Sequence, residues 1–144
     1  MTAETTTLKL SALDADDLDV ISAAVQDSLV AVRDCVHFKD ESRFVLLLNR
    51  FRWEADPTVE AAYSRTHSAL VFNEVKAVHH HGIPLAEPDR MLELLAVCLH
   101  GPEAVTLRFA AGRAIRLEIR RLACHLGDVG EPWSTPWKPA HPVE

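Results

Sequence analysis

Ala104–Leu122, AVTLRFAAGRAIRLEIRRL, decides the fold. Val105, Leu107 and Phe109 alternate with Thr106, Arg108 and Ala110, and Ile115, Leu117 and Ile119 alternate with Arg116, Glu118 and Arg120. A period of two sends alternate side chains to opposite faces of a strand, so each run is half buried. Ala110-Ala111-Gly112 between them fits a three-residue hairpin loop with the glycine left-handed. Pairing Leu107 with Ile115 and Val105 with Leu117 keeps the apolar set on one face, which a one-residue slip would scramble. An isolated hairpin is barely stable in water, so the rest of the chain must cover it.

Upstream, Met91–His100 (MLELLAVCLH) would serve as a buried strand or a short helix, and Gly101-Pro102 with the adjacent hairpin tips the reading to strand. Ser68–His81 is another, with a bulge or bend at Asn73-Glu74 where the apolar parity changes. Arg43–Trp53 is a long strand; Phe44–Leu48 is apolar on both faces, the pattern of a central strand covered on each side. Its far end, where Asn49, Arg50 and Arg52 alternate with Phe51 and Trp53, is expected to emerge into solvent. Leu29–Phe38 is one strand with Val30, Val32, Val36 and Phe38 on one side, and Glu54–Thr66 is a loop. Near the start, Leu8, Leu10 and Ala12 form a short strand after a flexible segment 1–6. Asp14 then caps an amphipathic helix from Ala15 to about Asp27, with Asp16 and Asp17 favoured by the dipole of its first turn. Downstream, Ala123–Val129 extends the sheet or makes one helical turn. The stretch 131–144, with Pro132, Pro136, Pro139 and Pro142, is an extended tail anchored by Trp133 and Trp137.

These elements predict one α+β domain spanning 1–144. It is β-dominant, with about seven mostly antiparallel strands in a curled sheet, partial barrel or sandwich, and one N-terminal helix. The 144 residues suffice for a real core. Their 15 basic and 21 acidic side chains give a charge of −6, which disfavours general affinity for nucleic acid or anionic membrane. No apolar run is long enough to span a bilayer. The beginning, MTAETTTLKL, lacks the basic and apolar regions of a signal peptide, and three cysteines are an odd number. A cytoplasmic protein with reduced thiols is expected.

Three stretches of this sequence resemble, in order, a small bacterial family catalogued only as a domain of unknown function. They are LKLSALDADDLDVISAAVQDSLV (8–30), RFVLLLNRFRWE (43–54) and AVTLRFAAGRAIRLEI (104–119), followed by a closing PAHP at 139–142. The similarity runs from about Leu8 to Pro142, and LLLNRFRWE and LDADDLDVISA are its most specific parts. The resemblance implies a bacterial cytoplasmic protein and brings no activity and no catalytic residues.

Chemistry must therefore be sought in the residues. Cys35-Val36-His37 and Cys98-Leu99-His100 each put a thiol and an imidazole on one strand face, and Cys124-His125 is a third pair. Two such strands side by side could build a Cys₂His₂ zinc site, although the usual C-x₂₋₄-C knuckles are absent. His79 and His81 share a face and could ligate a metal with a third group, but solvated histidines at a strand end are the plainer account. Arg108, Arg116 and Arg120 line the polar face of the hairpin, where they could hold an anionic group or simply face water. No phosphate loop is present, because no glycine opens a helix. The expectation is a non-enzymatic protein–protein interaction or structural domain without a cofactor, able to pair as a homodimer or with another protein. Arg108, Arg116, Arg120, Trp133 and Trp137 are the expected contact residues. A zinc- or ligand-binding barrel using the Cys/His pairs is the alternative, and a small enzyme with a Cys–His dyad is the third.

Overall fold

The computed structural model describes residues 8–55 and 63–139. The short strand β1 (Lys9–Ala12) leads into helix α1 (Ala15–Val25), where the Asp14 carboxylate accepts from the Asp17 N–H at 2.9 Å. Nine more strands follow: β2 (Ser28–Ala31), β3 (Cys35–Phe38), β4 (Arg43–Phe51), β5 (Tyr63–Phe72), β6 (Val75–His81), β7 (Met91–Leu99), β8 (Ala104–Phe109), β9 (Arg113–Ile119) and β10 (Cys124–Thr135). They form one antiparallel sheet in the order β1-β10-β5-β4-β2-β7-β8-β9-β6, with β3 on β4. Its ends do not pair, so no barrel closes.

The β8–β9 hairpin has the expected register, Leu107 opposite Ile115 and Val105 opposite Leu117. Its turn needs two left-handed residues: Gly112 (φ +69°) and also Ala111 (φ +66°). Strand β2 joins two arms, touching β4 through one pair, Leu29–Asn49, and β7 through four. The core draws inner side chains from both arms, Phe44, Leu46, Leu70 and Phe72 from one and Leu94, Val105, Leu107 and Leu117 from the other. The sheet is thus curled about β2. Leu18, Ile21 and Val25 of α1 complete the core, and Ser22 Oγ accepts from the Val97 N–H at 2.9 Å.

Among the described residues ten strands rather than seven arise because two expected strands each divide and Cys124–Thr135 adds another. Leu29–Phe38 is not one strand, because a 3₁₀ turn at Val32–Asp34 separates β2 from β3. The pairing moves from Leu29–Asn49 to Cys35–Leu46, which consumes six residues on one side and three on the other. An odd offset inverts parity, so Val30 is buried while Val36 and Phe38 face outward. Ser68–His81 divides at Glu74, whose φ of +59° sends the chain across to β9. The expected loop Glu54–Thr66 gives way to strand β5 from Tyr63 onward. The proline-rich tail is strand as far as Thr135, paired with β5, and Pro132 lies in the register shift between Val129 and Trp133. A proline is tolerated there because β1 has ended opposite Gly127. The flexible segment 1–6 and the end of the tail lie outside the described residues, apart from its part up to Pro139.

Two readings of β4 are also corrected. Its outer face is not covered, for Leu47 is 50% exposed, and its far end does not emerge into solvent, for Arg50 is 0% exposed.

Candidate functional site

The inner face of the first arm changes character along the strands. Its rows run Phe44–Phe72–Cys124, then Leu46–Leu70–Leu126, then Leu48–Ser68–Asp128, and finally Arg50–Thr66. Apolar packing thus gives way to a buried ionic cluster. Arg50 donates to both Glu54 oxygens at 2.7 and 2.8 Å and to both Asp128 oxygens at 3.0 and 3.1 Å. Its Nε reaches Ser68 Oγ at 3.1 Å, and that hydroxyl donates to Asp128 Oδ1 at 2.6 Å. The Leu8 N–H donates to Asp128 Oδ2 at 2.9 Å, so Asp128 ties β1, β4 and β5 together from β10.

Burial works against the charge on Arg50, but the Glu54 and Asp128 carboxylates outweigh it and hold the guanidinium above its ordinary pKa. Burial likewise opposes the Glu54 carboxylate, yet the Arg50 hydrogen bonds leave it below the ordinary value of 4.5. A depressed carboxylate pKa contributes stability above the unfolded-state value and loses it as pH falls through the folded one. Melting temperature is therefore expected to fall more steeply below about pH 4.5 in the wild type than in Glu54→Gln. Equal slopes in thermal melts would show that the pair adds nothing. The Arg50 guanidinium is thus engaged by two carboxylates, and these contacts tie neighbouring strands together.

The outer face of the same arm is the opposite case. Its rows are Val36–Val45–Val71–His125, then Leu47–Ala69–Gly127, then Leu29–Asn49–His67–Val129, then Phe51–Arg65–Trp133. Six of the eleven exposed large apolar side chains among the described residues lie here, and a seventh adjoins them across β2. Val36, Phe38 and Leu47 come from β3 and β4, and Tyr63, Val129 and Trp133 from β5 and β10. Met91 at the start of β7 is the seventh, paired beside Ala31. Between them a cleft of about 580 Å³ opens where β2 departs from β4, lined by Leu29, Leu47, His67 and Met91 and also by the charged Arg33 and Asp34. Trp133 rests against His67 with ring centroids 4.8 Å apart.

The residues singled out from sequence are dispersed. Cys35 and His37 sit on β3 beside β4, whereas Cys98 and His100 lie on and after β7, on the other arm, so the two pairs are not neighbours. Among the described residues no three His, Cys, Asp or Glu side chains come together as a metal site. Burial first, and then Asp34, pushes the Cys35 thiol up to about 12, and burial alone does the same to Cys124. Both are protonated at neutral pH, the inert form of a thiol. His79 pairs with Glu118 at 3.7 Å across the β6–β9 ladder. On that outer face Arg116 stands opposite His79, and Arg108 and His81 both flank Ala114. Arg120 turns toward Glu74 at 3.9 Å. Trp137 is exposed and follows the strand end.

Sequence reasoning missed Arg50, Asp128 and the outer face. The available signal was the double-sided apolarity of Phe44–Leu48, which marks a second apolar surface. Among the described residues no helix is long and apolar enough to cross a membrane. A family model described as "Protein of unknown function (DUF2948)" matches residues 8–141. No curated protein and no solved structure matches the chain.

Proposed function

We propose that this chain, which belongs to that family of unknown function, is a non-enzymatic protein–protein interaction domain. Its contact surface is the outer face of the first arm. The observation that carries this is the concentration of exposed apolar side chains on that face, around Leu47 and Met91, each 50% exposed. Contiguous apolar surface of this kind raises the free energy of a lone molecule in water and is lowered by a partner. The interior supports the same reading, because Arg50 is fully engaged and the Cys35 and Cys124 thiols are held protonated. The cleft beside Leu47 supplies the concave feature in which an apolar anchor of the partner seats.

Site-specific photo-crosslinking tests this surface. A photoreactive phenylalanine analogue replacing Leu47 should give a discrete crosslinked species in cells, whereas the same analogue replacing Arg116 should give none. Crosslinks from Arg116 alone would move the contact surface to the arginine face of the second arm and overturn the proposal.

A further inference from the structure

We infer that the partner of this face is a second copy of the same chain, an inference that rests on the contact-surface reading above. The argument is electrostatic. The chain carries −6, so two copies repel unless they meet where charge is absent. In the three rows from Val36 to Val129 there is no Asp, Glu, Lys or Arg until Lys9, at the β1 margin beside Gly127. Of the charges that flank them, Asp34 lines the cleft, and the arginines face carboxylates within the molecule. Arg33 pairs with Asp89 beside Met91, and Arg43, next to Phe38, pairs with Glu41 at 3.3 Å. Arg65, in the next row, feels the Asp27 and Glu93 carboxylates and donates to the Asn49 side chain at 3.0 Å.

A two-fold interface places one patch against itself, so charge near its centre would oppose like charge. The three rows from Val36 to Val129 have none to oppose. A partner of different chemistry would need rim charges to recognise, and such charges are what usually encode the choice of partner. The area also fits. Large apolar side chains have roughly 150–250 Å² of surface when fully exposed, so seven that are about two-fifths exposed present on the order of 500 Å². With Asn49, His67, Ala69 and His125 between them, the face approaches the roughly 800 Å² per partner of a standard interface. Two twisted sheets meeting by such faces pack aligned, as in a sandwich shared between copies.

Sedimentation velocity on the full chain, from about 1 to 200 μM, tests the inference together with the crosslinking above. The wild type should sediment as a dimer that dissociates on dilution. Leu47→Glu and Met91→Glu should each weaken self-association at least tenfold with an unchanged circular dichroism spectrum, and Arg116→Glu should leave it intact. A wild type that stays monomeric to 200 μM while the Leu47 crosslink captures a different protein would overturn the second copy and leave the contact surface standing. A dimer indifferent to both glutamates would overturn both.

Discussion

Arg50→Met is expected to cost about 3–5 kcal/mol of folding stability, the range for breaking a buried charge cluster by removing one partner. The loss comes less from the arginine than from what it leaves. Asp128, with its side chain 3% exposed, would keep a charge opposed only by the Ser68 hydroxyl and the Leu8 N–H. Glu54, more exposed, can turn to water. Arg50→Lys should recover little, because one ammonium cannot reproduce the paired contacts that the guanidinium makes to two carboxylates. The double variant Arg50→Met with Asp128→Leu should regain most of the loss, since an apolar pair of similar volume has no charge to leave stranded. Urea unfolding of the three variants measures this. An Arg50→Met variant within about 0.5 kcal/mol of wild type, a margin typical of inconsequential surface changes, would mean that the ionic cluster is not what holds β1, β5 and β10 to β4.

Phe72→Ala is expected to cost about 3–5 kcal/mol by a different route, loss of burial plus the cavity left behind. Phe72 is 0% exposed at the apolar end of the same inner face, opposite Phe44 on β4 and Cys124 on β10. Three strands meet at this row, and their backbones are tied by cross-strand hydrogen bonds, so they cannot close over the void. Phe72→Leu should cost much less, because it keeps most of the volume. The two variants also separate by pH. The Phe72→Ala deficit should be constant through acid, while the Arg50→Met deficit should shrink below about pH 4.5 as Glu54 takes up its proton. Denaturation midpoints at neutral and acid pH read the difference directly.

Much of the fold was legible because local patterns and tertiary demands agree. The alternation around Ala110–Gly112 fixed both strands and the register of the hairpin, since any slip would expose half of its apolar side chains. The Asp14 cap and the spacing of Leu18, Ile21 and Val25 fixed the helix, because capping and apolar period are properties of consecutive residues. The LLLNRFRWE segment is one of the two most specific parts of the family resemblance, and Arg50 within it is the most buried cation among the described residues.

What the sequence could not decide were quantities set by residues far apart. A three-residue offset between β2 and β3 turns Val36 and Phe38 outward, and it exists only relative to β4. Whether Arg50 lies in water or in the core depends on Asp128, 78 residues away, which has no local signature. A charge can be buried only where an opposite charge meets it, and that meeting is made by strand order. The same holds for Phe44–Leu48. Its sequence determined that both faces are apolar; only the curl of the sheet decided which face is covered by the chain itself and which is left exposed.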